Sequence, residues 1–528
     1  MKKVSDTYNA YPDSRKVDVK ISFRLLDEAA SQHATINHNG AEKLCDVSQV
    51  LTEENASLGK YATLEKDFWA LDGTWRTLPD QTINGYWSTA LSGSDCTFEI
   101  PPTLTLSLSQ AATSIGFSLR FDDQVESWPA SVKITVYSGT TVLQEKTVSN
   151  DGTLLAADMP VENYDKVSFE FLKSDKPYRR IKIYEVLFGI VQQFDSDNIV
   201  TATFKAGCTI DSESVPTREL VFVFNNQDKK YNFVNPKGIY RYLKNDQEIH
   251  AQILIDGEPV DMGTHYFTRA EAKDDALTAE ITANDPIYWL DNETYEEGTW
   301  GQWTLNEALE ALLGGKFELD VPTVIGERMV NKCIPLETSK REALQLLAQA
   351  VRCSCWVDRL GKLVFRELSI SDQAVDILTE DNMESMDGIS TSENYDRIEL
   401  TVRDVFSNSE KTFISGEGTN IYRATNPCVY NGQAVADWLL SIKRYRLQYD
   451  CISRGNPAVE VGDTITIYNA YDEPKNALVY EYEITFDGGL TERALTTTLK
   501  NAIATGKLAH AYLFCGPRGA AVHMSGLS

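Results

Sequence analysis

Apolar and polar positions alternate first in Lys16 to Leu26 (KVDVKISFRLL), where Val17, Val19, Ile21 and Phe23 face one way and Asp18, Lys20 and Ser22 the other. That two-residue period predicts a strand with one buried face. Shorter runs follow at Thr103 to Leu108, Ile115 to Phe121, Val132 to Tyr137, Val167 to Leu172 and Ile181 to Phe188. Turn signals such as Ser138-Gly139 and Asn150-Asp151-Gly152 lie between them. Short strands with polar turns predict a sandwich. Longer strands are expected at Ile199 to Phe204, Glu219 to Phe224, Ile249 to Ile255 and Leu277 to Ala283, with turns at Asn225 to Asp228 and Asp256 to Pro259.

The period then changes to that of a helix. Thr304 with Glu307, and Ser339 with Glu342, have the spacing of capping boxes ahead of apolar runs, and Gly314-Gly315 ends the first run. The second leads into Ser354 to Asp358, a turn at Gly361 and Lys362 to Phe365, a helix followed by a hairpin. Tyr395 to Val402 and Tyr480 to Phe486 read as further strands, and Gly432 to Tyr445 as a helix. Arg454 to Ile467 (RGNPAVEVGDTITI) reads as two turns, Asn456-Pro457 and Gly462-Asp463, feeding a strand. The expectation is a mainly β fold with α+β elements. Residues 1–60 and 191–285 form a first β-domain split by an inserted β-sandwich at 61–190. Residues 286–385 form a helix-hairpin domain, 386–490 a second β-domain, and 491–528 a tail of different character.

Composition narrows the class. A chain of 528 residues has room for three or four domains. Its 24 Tyr, 20 Phe and 9 Trp favour strands. A formal net charge of −27 argues against holding nucleic acid through neutralised phosphates. Nine Cys without paired spacing read as reduced, buried thiols. Met1-Lys2-Lys3-Val4 lacks the apolar stretch that a signal peptide requires, so synthesis in the cytoplasm is expected.

The stretch Asn456 to Asp463 (NPAVEVGD), with Arg341-Glu342-Ala343-Leu344 and Gly361-Lys362-Leu363, resembles the hub or tail-tip proteins of tailed phages. The resemblance covers about 1–60 and 191–490. It implies β-barrel domains, a homotrimer that continues the tail tube, contacts with a distal tail protein and a tape-measure protein, a place in the virion, and no enzymatic activity or cofactor. In that setting the negative charge would give an acidic lumen that repels passing DNA. Residues Tyr61 to Gly189, above all Pro177 to Ile183 with Glu185-Val186, resemble a discoidin-type jelly roll of the kind used by carbohydrate-binding modules. That likeness implies recognition of host surface polysaccharide, with Trp75, Tyr86, Trp87 and Trp128 as candidates for stacking on sugar rings; the competing reading makes the same four residues packing groups. The alternative function is therefore a carbohydrate-binding adhesion protein or a glycan-active tail protein, since abundant carboxylates leave a glycosidase pair open.

Thr496 to Gly519 resembles the start of the ATPase domain of the clamp-loader gamma/tau subunit of DNA polymerase III. A working phosphate loop needs Lys and Ser or Thr after its glycines. Here Gly516, Arg518 and Gly519 are followed by Ala520-Ala521, so the loop is degenerate, no nucleotide site is expected, and 491–528 reads as a foreign junction product. An Asp-bearing loop such as Asp122-Asp123 lacks the ligand spacing of a calcium loop and reads as a solvated turn. Cys353 and Cys355 lack the two further ligands a zinc site needs, and neither a nucleophile elbow nor a zinc-protease motif occurs. No metal site is expected.

Overall fold

The computed structural model describes residues 15–499 apart from 40–44, 52–60, 64, 69, 71, 76–82, 122–126, 209–213, 233, 236–237, 273–276, 297–300, 405–406, 408 and 469–473. The fold is mainly β with a few short helices. Its centre is a 13-stranded sheet. One half runs Gly189–Phe194, Val17–Leu26, Glu248–Ile255, Glu258–Glu271, Thr278–Asn284, Glu219–Asn225 and Ile199–Gly207. The other half runs Pro474–Phe486, Leu490–Leu499, Tyr445–Ser453 and Met383–Thr391, with Thr464–Tyr468 and Asp376–Leu378 branching from Pro474–Phe486.

A single antiparallel ladder joins the halves, with Ala202 opposite Phe486 and Gly207 opposite Glu481. Its directly opposed pairs are complementary: Lys205 meets Glu483 at 3.0 Å and Thr203 meets Thr485 at 3.2 Å. On the other face Phe204, Ala206, Tyr482 and Ile484 are buried in one continuous core. Within it Phe194, Phe222, Phe224 and Tyr231 pack ring against ring, with centroids 4.5 Å apart for Phe194–Phe224 and 4.7 Å for Phe224–Tyr231. Truncating one such ring to alanine costs about 3–5 kcal/mol.

The inserted unit is a seven-stranded sheet built on two long strands, Thr103–Phe121 and Leu154–Ser174. Their ladder shifts register three times between Ser107 and Gly116. Such bulges bend a sheet, so each strand serves two halves. Leu104 to Leu108 pairs with Ala34–His38, whereas Ser118 to Phe121 pairs with Ile183 to Leu187. The runs expected as separate strands at 103–108 and 115–121 are thus one strand. The insert also starts earlier than the 60/61 division: Ala34–His38 belongs to its sheet, and among the described residues of the N-terminal region Val17–Leu26 is the strand that joins the body.

Both predicted capping boxes form, Thr304 with Glu307 on helix Leu305–Leu313 and Ser339 with Glu342 on helix Lys340–Ala350. Gly314 closes the first helix in the left-handed conformation, and Ser354–Val357 pairs with Leu363–Arg366 as the expected hairpin. The division at 385/386 does not follow the packing. Strands Arg397–Arg403, Glu410–Gly416 and Ile421–Thr425, with helix Gly432–Ile442, share a core with the two capped helices through Ile398, Leu400, Val429, Val435 and Ala436. Residues 376–391 and 445–499 instead complete the central sheet. Alternation alone does not reveal which of two sheets a strand joins. The sheet also extends past the 490 boundary, because Leu490–Leu499 pairs on both sides and buries Ala494 and Thr496. Gly516, Arg518 and Gly519 lie outside the described residues.

Gly189 sits where insert and body meet, opposite Leu26, with φ of 146°. A Cβ there would collide with the Leu25 carbonyl. Gly189→Ala is therefore expected to destabilise the protein by about 2–4 kcal/mol, seen as a lower midpoint in circular-dichroism denaturation; an unchanged midpoint would refute the close approach.

Candidate functional site

The turn at 454–463 is held by groups far away in sequence. Asp358 Oδ1 accepts hydrogen bonds from the backbone N–H of Leu360 and Lys362, both at 2.9 Å, which fixes the hairpin turn carrying Arg359. The Arg359 side chain is buried against the central sheet, where it donates to the carbonyls of Pro457 and Val459 and, at 3.2 Å, to the Tyr482 hydroxyl. Glu460 Oε1 lies 3.7 Å from its Nε. One guanidinium thus joins the helix-hairpin to the turn and to the strand that fuses the two halves of the sheet. The planar five-donor fork suits this task, because a lysine cannot reach four acceptors from one position.

Two carboxyls close the other side of the turn. Asn456 donates its backbone N–H to Glu492 at 2.7 Å and its side-chain amide to Asp376 at 2.9 Å, while its Oδ1 accepts from the Ala458 N–H at 3.1 Å. Burial pushes Glu492 up to about 7, with Asp376 adding to the rise while the Asn456 N–H, Arg359 and Arg15 oppose it. Burial also raises Asp376. A second buried pair lies nearby: Arg218 donates its backbone N–H to Asp285 at 3.0 Å and holds Nε 3.8 Å from it, and burial raises Asp285 to about 6 against the pull of Arg218. Gly263 separates the two arginines at φ of 93°, and a Cβ there would press on the Arg218 guanidinium and the Arg359 carbonyl. Arg359, Glu492, Arg218 and Asp285 are all buried, so the cluster holds its charges within the protein interior.

In the insert, the four sugar-stacking candidates do not come together as one platform. Tyr86 and Trp87 are 0% and 1% exposed and belong to the core, so neither offers a ring face to a ligand. Trp128 is partly buried against the same core, and its backbone N–H donates to Asp175 at 3.2 Å. Trp75 is half-buried, edge-on to Phe68 at 5.3 Å. Asp122-Asp123 lie outside the described residues. Sequence reasoning missed the buried pair Lys182–Glu65 at 2.8 Å, with Lys182 Nζ 3.7 Å from the centre of the Phe68 ring. It also missed the ladder Glu248–Arg24–Glu185–Arg120, at 3.0, 3.3 and 3.2 Å, which ties insert to body. Cys353 and Cys355 are buried free thiols, both raised by burial. Among the described residues no group of three metal-ligating side chains converges.

No protein-family model matches the chain, and no curated protein matches it. Among solved structures it is similar to the tail protein from Neisseria meningitidis MC58, at 11% identity and a TM-score of 0.43 over 58% of this chain and 94% of that one. It is also similar to the 43 kDa tail protein of prophage MuSo2 from Shewanella oneidensis, at 16% identity and a TM-score of 0.41 over 58% and 94% of the two chains. A prophage tail protein from Listeria monocytogenes EGD-e gives 10% identity and a TM-score of 0.40 over 60% and 94%.

Two outcomes follow from the buried cluster. Removing the fork in Arg359→Ala strands the Pro457 and Val459 carbonyls, so a loss of about 3–5 kcal/mol is expected together with faster hydrogen exchange at 454–463 than elsewhere in the sheet. Equal loss of protection everywhere, with no stability change, would contradict this. For Glu492 the folded value lies above that of an ordinary carboxyl, near 4.3, so its contribution to stability is fully present below about 4.3, declines as pH rises and levels off above about 7. Glu492→Gln should remove that part of the decline, gaining on the order of 3–4 kcal/mol at pH 8 and nothing at pH 4 in denaturant titrations. A variant with the wild-type slope would exclude Glu492 as the source.

Proposed function

We propose that the chain is a structural, non-enzymatic subunit of a phage tail tip or baseplate hub. It assembles as a homotrimer at the end of the tail tube, against a distal tail protein and a tape-measure protein, and holds its inserted unit towards the bacterial surface and its polysaccharide. One observation carries the reading: two β-units are fused by a backbone ladder into a single sheet whose terminal strand, Met383–Thr391, is paired on one side only among the described residues. A long unpaired edge invites strand addition, and a monomer would be expected to cover it. Glu384 and Asp387 on that strand discourage random pairing, while Ile389, 57% exposed, offers an apolar contact to a complementary subunit.

The motifs behind the resemblance act as architecture, which fits this role: NPAVEVGD is the turn that Arg359 grips, and Gly361-Lys362-Leu363 completes the hairpin that supplies Arg359. The rival reading, a carbohydrate-binding adhesion protein, draws on the insert having a hydrophobic core of its own.

Sedimentation velocity on the full chain is expected to give a species of three times 59.1 kDa, ring-shaped in negative-stain images, and Ile389→Lys should shift it to monomer without lowering the unfolding midpoint. A monomer at every concentration would overturn the assembly reading.

A further inference from the structure

A pocket of about 420 Å³ opens where the central sheet meets the helix-hairpin domain, remote from the aromatic residues of the insert. Its floor is Thr268 and Asn284. Thr268 is the extra residue of a β-bulge, since Phe267 pairs with Ala283 and Arg269 with Thr282, leaving Thr268 without a partner position. A bulge redirects a side chain, and here the Thr268 hydroxyl lies 3.0 Å from the Thr282 carbonyl and 3.3 Å from Asn284 Oδ1. That engages the carbonyl oxygen of Asn284 and leaves its amide N–H₂ with no partner among the described residues. The side chains of Thr217 and Asn245, also on the wall, likewise have none.

The remaining wall combines an aromatic face and a fixed cation. Tyr288 lies on the single 3₁₀ turn Pro286–Asp291, which Asp285 caps, and its hydroxyl donates to Asp246, which also accepts the Trp289 indole N–H at 2.7 Å. The ring is therefore held in place before any ligand arrives. Arg341, in the first turn of helix Lys340–Ala350, donates Nε to the Val215 carbonyl at 2.6 Å and Nη1 to Asp291 at 2.7 Å. Its charge is balanced by Asp291, so the wall does not select for an anion, and Nη2 remains as a donor. The pocket thus gathers two amides and one hydroxyl that are unengaged among the described residues, one neutralised guanidinium and a clamped phenol ring, at a size within the usual range for small-ligand sites.

We propose that this pocket binds an uncharged, hydroxyl-rich saccharide unit, stacked on Tyr288 and read by Thr217, Asn245, Asn284 and Arg341. Vicinal hydroxyls both donate and accept, which matches this mixed wall better than a phosphate or carboxylate would, and the apolar face of a pyranose ring suits the phenol. The proposal needs only the pocket, whatever the assembly does, and it moves the saccharide contact from the insert to the body.

The test is saturation-transfer NMR followed by calorimetric titration on the full chain, with glucose-, galactose-, rhamnose- and N-acetylglucosamine-containing oligosaccharides as probes. The wild type should bind at least one of them. Thr217→Val and Asn245→Ala, which break no side-chain hydrogen bond among the described residues, should each weaken binding severalfold, and Tyr288→Leu by about tenfold or more, while Trp75→Ala leaves it unchanged. No transfer from any probe to the wild type overturns the proposal. So does binding that survives both Thr217→Val and Asn245→Ala, or that is lost only with Trp75→Ala. Sedimentation of the same samples separates this result from the assembly reading, since a trimer without saccharide binding refutes only the pocket, and saccharide binding by a monomer refutes only the assembly.

Discussion

The structure depends on one desolvated guanidinium. Arg359 comes from a hairpin turn in the helix-hairpin domain, yet its acceptors belong to the 454–463 turn and to the strand carrying Tyr482, which forms the seam between the two halves of the central sheet. Burying a charge is tolerated only where its donors are met, so this contact favours a single relative placement of hairpin, turn and sheet. The carboxyls Glu492 and Asp376 then fill the opposite side of the same turn through Asn456. Polar groups in this interior specify position, and the hydrophobic cores on either side provide most of the driving force.

What could be read from the sequence was what is local. The capping boxes at Thr304 and Ser339 need partners three residues away, and both form as expected. The two-residue periods at Val17 to Phe23 and Thr464 to Ile467 became strands for the same reason. The cluster around Arg359 was not legible, since its partners lie about a hundred residues off and an arginine in a GKL hairpin looks solvated until the fold covers it. Tyr86 and Trp87 failed as ligand residues for a related reason: aromatic content marks a place where area will be buried, whether by core or by ligand. The division of 386–490 between two cores was equally hidden, because Ile398 and Ile465 sit in strands of the same pattern that join different sheets.

The pocket beneath Tyr288 belongs to the illegible class as well. Its walls come from five separated stretches of chain, and its floor depends on a bulge that no composition signals. A sequence reader looks for sugar-binding aromatics where they cluster. Here the ring on the pocket wall, Tyr288, is clamped and half-open and stands outside the aromatic-rich insert.

The insert enters and leaves through adjacent backbone: Leu26 faces Gly189 across the ladder, and the Asp27 N–H donates to the Phe188 carbonyl at 2.8 Å. A segment of some 160 residues therefore occupies the place of a hairpin loop, and the strands on either side keep their register whatever hangs from them. Such a mounting lets the inserted unit be lengthened, shortened or replaced without disturbing the inner sheet, its buried charges or its long-range register.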